Sequence, residues 1–184
     1  MECVMRIEKT IPLLDEILNE WQAKIGSDFQ GYKNHVIRML NFCFYLKPKA
    51  TEVERKKLII AAAFHDIGIW SAHTIDYLPP SVLVAKEYLE KNNLSEWVEE
   101  ICLMIDLHHK FTQVKNDNYP LIEIFRRADL VDFSLGAVKW GISKAYIKKL
   151  KSEIPNAGFH KRLMQLSWQQ IKQDPLNPAP MMKW

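Results

Sequence analysis

The chain has 184 residues, of which 48% are hydrophobic and 26% charged, and its formal net charge at pH 7 is +3. This composition is ordinary for a globular protein and excludes a disordered or fibrous chain. The basic residues lie in separate doublets and triplets, so we expect no dedicated nucleic-acid binding.

Apolar residues at helical spacing predict eight helices with short polar or Pro/Gly breaks between them. In chain order, the predicted helices cover about residues 10–25, 29–46, 51–67, 79–92, 95–110, 120–134, 140–153 and 157–173. No segment has a strand pattern, so the predicted fold class is all-α, a helical bundle that forms a single domain over residues 1–184. The Pro-rich tail, residues 174–184, is expected to cross the surface as a strap anchored by Trp184.

The cysteines and the lengths of the apolar runs indicate in which cellular compartment the protein is expected. Cys3, Cys43 and Cys102 form no Cys-x-x-Cys pair, which fits free thiols in a reducing environment. The N-terminus lacks the apolar stretch of a signal peptide, and no run approaches the ~18 apolar residues of a membrane span. We therefore expect a cytoplasmic protein without a membrane partner. The composition leaves a homodimer open but does not reveal a dimer face.

The third predicted helix contains the longest apolar run of the chain, residues 58–64, and ends in His65-Asp66. A helix this apolar is buried, so its last turn places an imidazole and a carboxylate inside the protein. Because an unpaired buried charge is costly, Asp66 needs a cation or strong hydrogen-bond donors.

Two further polar side chains face the interior by helical spacing. His35 lies on the apolar stripe of the second predicted helix, and Asp129 continues the apolar face of the sixth. Imidazole suits borderline transition metals and carboxylate suits hard ions, so a mixed set fits Mn, Fe, Co, Ni, Zn or Mg. The predicted ligands of this divalent metal are His35, His65, Asp66 and Asp129. A metal with open positions activates a water, which indicates a hydrolase.

Each of these residues also has a simpler interpretation. A lone His35 on an apolar face is more often a hydrogen-bonded core residue, and Asp129 can pair with Arg126 three residues before it. His108 and His109 continue the buried stripe of the fifth predicted helix but are also favourable at a helix C-terminus. We prefer the metal because four inward polar groups on three helices are hard to satisfy without a shared partner.

The order of these residues resembles the HD-domain superfamily of metal-dependent phosphohydrolases, over roughly residues 30–135. The matching features are His35, the segment Ala62-Ala63-Phe64-His65-Asp66-Ile67-Gly68, Asp129 within 126–132, and His108-His109, a pair that some members use for a second metal. The resemblance implies an all-α bundle in which the four predicted ligands bind one metal. It also implies phosphomonoesters, nucleotides or cyclic nucleotides as substrates.

Two positions depart from subgroups of that superfamily. Ile69 stands where some members have a catalytic Glu and HD-GYP proteins have a Lys, and Pro80-Ser81 stands where a bimetallic HD-GYP protein would have another histidine. We therefore expect one metal rather than two, and no activity as a cyclic-di-nucleotide phosphodiesterase.

The expected function is hydrolysis of a nucleotide or another small phosphate ester by a metal-activated water. Asp66 would orient the water, and His108 or His109 would donate a proton or contact the phosphate. The residues expected to bind phosphate oxygens are the cations Arg38, Lys110 and Arg126. The residues expected to stack on a base are Trp70 and Tyr77, from the loop over 70–80.

Two other functions stay open. A non-catalytic HD-fold module would bind a metal or nucleotide as a sensor or docking domain, and the lack of an acid at Ile69 favours it. An interaction protein with a structural metal would instead have a closed ligand shell. Turnover of phosphate esters separates the enzyme from both.

Overall fold

The computed structural model describes residues 6–183, and Cys3 and Trp184 therefore lie outside the described residues. The helices in this range are α1 (Pro12–Ile25), α2 (Phe29–Leu46), α3 (Glu52–Phe64), α4 (Gly68–Ser71), α5 (Leu78–Lys91), α6 (Val98–Leu107), α7 (Leu121–Phe133), α8 (Lys144–Glu153) and α9 (Phe159–Gln173). Single 3-10 turns, Gly26–Asp28 and Ser95–Trp97, lead into α2 and α6. The described range contains no strand, so the all-α prediction is confirmed.

Side-chain caps fix two of the helix starts. The Thr51 hydroxyl accepts from the Glu54 amide, and the Glu54 carboxylate accepts from the Thr51 amide, which forms a capping box before α3. Ser143 caps α8 in the same way, with its hydroxyl accepting from the Tyr146 amide at 3.2 Å. The predicted helix over 140–153 therefore begins too early, because the chain before Ser143 is a turn with φ 85° at Gly141.

The predicted break after His65-Asp66 contains a short helix that the sequence did not reveal, α4. Gly68 opens this helix, and its amide donates to the Ser81 hydroxyl at 2.9 Å. A Cβ at Gly68 would lie only 2.2 Å from the Tyr77 carbonyl oxygen. Glycine is thus required because the backbone of the following loop folds back directly onto the segment that follows His65-Asp66.

The core lies around α2, which is buried along most of its length and packs mainly against α7 and α3. The apolar run of α3 is fully enclosed, as its pattern predicts, and ends at Phe64. The ends of α3 and α6 lie beside the middle of α2 and α7, and this arrangement positions the site.

Residues 174–183 follow α9 as turns and bends without a helix. This strap crosses to the segment after α6, where the Phe111 amide donates to the Lys183 carbonyl at 3.1 Å. An anchoring role of Trp184 stays a prediction. Within residues 6–183, no helix combines the length and apolarity that a bilayer span requires.

Candidate metal centre

The structure brings the four predicted ligands together, and all of them are buried. His35 comes from α2, His65 and Asp66 directly follow α3, and Asp129 lies on α7. His35 Nε2 lies 3.0 Å from His65 Nε2, 3.5 Å from Asp129 Oδ1 and 3.8 Å from Asp66 Oδ2. His65 Nε2 lies 3.3 Å from Asp66 Oδ2. The donor atoms of α2, α7 and the turn after α3 thus meet within a few ångströms.

Three histidines are held in the same tautomer. His65 Nδ1 lies 2.8 Å, and His108 Nδ1 2.7 Å, from the backbone carbonyl three residues earlier. Because a carbonyl only accepts, both Nδ1 atoms carry the proton. His35 Nδ1 likewise donates to Asp132 Oδ2 at 2.8 Å. In the neutral imidazole each Nε2 then presents a lone pair, which is the form that binds a metal.

Two features of the cluster call for a shared cation. The Nε2 atoms of His35 and His65 face each other at 3.0 Å, which is repulsive unless a proton or metal lies between them. Asp66 Oδ1 and His108 Nε2 lie 3.6 Å apart, and neither has a hydrogen-bond partner among the described residues. Two ligand atoms that bind one metal at ~2.1 Å lie roughly 3.0 Å apart at an octahedral angle and roughly 3.4 Å apart at a tetrahedral angle. The distances between these ligand atoms are close to those values. The residues therefore fit a divalent metal.

A family model of the HD domain matches residues 32–134, more than half of the chain. The chain belongs to the HD-domain family. No curated protein and no solved structure gives a match. Membership of the HD domain implies the superfamily of metal-dependent phosphohydrolases, as the resemblance in the sequence predicts, and the matched range contains every polar residue of the cluster.

The HD site includes a third carboxylate, Asp132, which sequence reasoning did not assign to it. Asp132 accepts two bonds from the Arg38 guanidinium, at 2.6 and 2.7 Å, in addition to the bond from His35 Nδ1. Burial alone would raise the pKa of Asp132, but His35 and Arg38 outweigh it and hold that pKa at about 2. Its position three residues after Asp129, on the same helix face, was the available signal.

Two arginines that we expected to bind the substrate phosphate donate their hydrogen bonds to protein groups outside the cavity. Arg38 is 2% exposed and also donates to the Pro155 carbonyl at 3.0 Å, so it lies behind His35 rather than in the cavity. Arg126 donates two bonds of 2.8 Å to Glu123 and one of 3.0 Å to the Lys110 carbonyl. Both arginines therefore support the site from outside it, and the structure does not bring either to a substrate.

The aromatic residues of the 70–80 loop have different positions. Trp70 is buried against Tyr32, with ring centroids 4.8 Å apart, and its indole nitrogen donates to Asp28 at 3.1 Å. This packing leaves no free face for a base, contrary to the expectation for Trp70. Tyr77 does face the site, and its hydroxyl lies 2.5 Å from His109 Nε2.

A cavity of about 110 Å³ opens onto three of the ligands, His35, Asp66 and Asp129. His109 and Tyr77 line it, whereas His108 and Lys110 are not among its lining residues. Most of the wall is apolar and comes from α4, α7, α9 and the strap, including Ile69, Phe133, Phe159, Leu163, Leu166 and Met181. The contribution of α9 was missed, although Phe159, Leu163 and Leu166 stand at helical spacing.

The electrostatics of the cluster favour a bound cation. Burial alone would lower the pKa of His65, but the Asp66 and Asp129 carboxylates raise it to about 9. Burial likewise opposes ionisation of Asp66, yet His65 and His108 hold the pKa of that carboxyl well below its usual range. Burial and the neighbouring His108 lower the pKa of His109, which keeps that imidazole neutral at the cavity wall. A metal can therefore take the place of the proton on His65.

Proposed function

We propose that the protein is a metal-dependent phosphohydrolase that acts on a small phosphate ester. One observation carries this proposal: the cavity ends on His35, Asp66 and Asp129, so a bound ligand would meet the metal directly. A structural metal has a closed shell of protein ligands, whereas a catalytic metal keeps a position open.

The metal ligands in this proposal are His35, His65, Asp66 and Asp129. When bound, a divalent ion lowers the pKa of a water and polarises a phosphoryl oxygen. Asp132 and Arg38 keep His35 Nε2 directed at the cluster through the bond to His35 Nδ1. Asp66 turns Oδ2 toward His35 and His65 and Oδ1 toward His108, and the carboxylate oxygen that a bound metal leaves free can orient the attacking water.

Tyr77 and His109 form the polar side of the cavity and are the proposed proton donors to the leaving oxygen. They share one short hydrogen bond, so a proton can be held at Tyr77 Oη or His109 Nε2. His108 stands apart from this pair because it lies behind Asp66 with Nε2 directed at Asp66 Oδ1. We assign His108 to positioning or binding the metal rather than to the leaving group.

A second candidate function is a non-catalytic HD-fold module that binds a metal and a small ligand. The observation that favours it is Ile69, which lines the cavity at the position where other subgroups have an acid or a base. Such a module binds its ligand without releasing product.

Purified protein loaded separately with Mn, Mg, Co and Ni and assayed on a panel of phosphate esters tests the proposal. Phosphate release that is lost in His65→Ala, with wild-type protein as the reference, supports the enzyme. Tight ligand binding with no phosphate release from any ester, with every metal, would favour the module.

A further inference from the structure

The cavity is unusual for a phosphate site because its wall contains no cationic side chain from residues 6–183. Phosphate sites commonly use Arg or Lys to neutralise the charge. Here Arg38 and Arg126 are buried and donate to Asp132 and Glu123 instead. A bound divalent ion would therefore supply the main positive charge at this wall, which is enough for a single phosphate and unfavourable for a polyphosphate.

Beyond the metal ligands, the wall is dominated by apolar side chains. Phe133 comes from α7, Phe159, Leu163 and Leu166 come from α9, and Met181 comes from the strap. The hydroxyls and amides that a sugar or a base edge requires are nearly lacking, since Ser167, Tyr77 and His109 are the polar groups besides the ligands. Burying unpaired polar groups of a ligand against such a wall is costly.

The size of the cavity gives a separate argument. Its volume is about 110 Å³. An apolar cavity of about 150 Å³ holds benzene, and pockets for drug-sized ligands have about 300–1,000 Å³. A nucleoside is too large for this space, whereas a short alkyl chain is of the right order and a single aromatic ring lies at the upper limit.

We propose that the cavity recognises the monophosphate of a short alkyl or aryl alcohol, in preference to nucleotides and sugar phosphates. The phosphate meets the metal cluster and the apolar group fills the space between α7, α9 and the strap. This inference rests on the proposed function for the reaction itself. In that reaction the P–O bond to the alcohol breaks, water supplies the hydroxyl that joins phosphorus, and the water proton goes to the leaving oxygen.

A series of alkylphosphonates, from methyl to hexyl, with phenylphosphonate, tests the recognition without turnover. Their affinity for Mn²⁺-loaded protein is measured by calorimetry. We expect a gain of about fourfold for each buried methylene, which levels off before roughly six carbons as the cavity fills. In protein loaded with diamagnetic Mg²⁺, the methyl resonances of Met181 and Met182, both in the wall, should shift with butylphosphonate and not with methylphosphonate.

Two substitutions on the same helix provide a matched comparison. Leu166→Gln places an amide in the wall, and Met164→Gln makes the same kind of change at an exposed position, 67% exposed. Leu166→Gln should flatten the chain-length dependence, while Met164→Gln should keep it. Thermal melts of both proteins show whether each variant is folded.

The outcomes separate this inference from the proposed function. A flat chain-length series in the wild type, or tighter binding of adenosine monophosphate than of butylphosphonate, would overturn the inference even if the enzyme is active. A rising series together with no phosphate release from butyl or phenyl phosphate would support the recognition and overturn the proposed hydrolase.

Discussion

Replacing Asp132 with Asn tests how His35 is held. The variant keeps an oxygen that can accept from His35 Nδ1 but removes the charge that faces Arg38 at 2.6 and 2.7 Å. Because Arg38 is 2% exposed, its guanidinium would be left buried without a countercharge. Breaking a buried ion pair in this way costs about 3–5 kcal/mol in the free energy of unfolding. Such a support residue also contributes about 10–100-fold to metal affinity.

The pH dependence gives a second measure of the same interaction. The pKa of Asp132 is about 2, against an ordinary value of 3.8, so the wild type loses about 2 kcal/mol of stability as the pH falls from about 4 through 2. The Asp132→Asn variant has no titrating group at this position and should lack this part of the acid dependence.

Urea denaturation followed by circular dichroism measures both effects, and Arg38→Met in the Asp132→Asn background is the control. The double variant removes the unpaired cation and should recover most of the lost stability. A loss below about 1 kcal/mol in the single variant, or no recovery in the double variant, would refute the argument that a buried ion pair holds this side of the site.

Three further predictions concern Gly68, the pair His108-His109, and the protonation of His65. Gly68→Ala should lower the free energy of unfolding by about 1–3 kcal/mol, because the new Cβ would lie 2.2 Å from the Tyr77 carbonyl oxygen. An unchanged urea midpoint would contradict this close approach. His109→Ala should lower kcat and keep the metal, whereas His108→Ala should lower the metal content. Metal analysis and kinetics of both variants check this. The reverse pattern would show that the two histidines have exchanged roles. The metal-free protein should lose stability as the pH rises from about 6.5 through about 9, because folded His65, with its pKa of about 9, keeps a proton that the unfolded chain releases. A urea series over that range should show the decline, and a profile that stays flat would argue against a protonated His65.

The helices and the inward position of the four proposed ligands could be predicted because both depend on local periodicity. The apolar run before His65-Asp66 indicated burial, and the stripes of α2 and α7 directed His35 and Asp129 inward. Sequence spacing is enough for this because side chains three or four residues apart share a helix face.

Other features depend on contacts between distant segments and had no local signal. Arg38 lies at the edge of an apolar stripe, and its burial follows from Asp132, 94 positions later in the chain. The role of Trp70 follows from Asp28 and Tyr32, which the fold places under the loop. The wall of the cavity could not be predicted because it depends on how α9 and the strap return across α7.

The metal content of Asp66→Ala tests the central claim most directly. Inductively coupled plasma mass spectrometry of wild-type protein, Asp66→Ala and the exposed control Asp117→Ala compares the metal bound per chain after identical loading. We predict stoichiometric metal in the wild type and in Asp117→Ala, and a loss of most bound metal in Asp66→Ala, because the site loses a buried charged ligand. Stoichiometric metal retained by folded Asp66→Ala would contradict the assignment of this cluster as the metal centre.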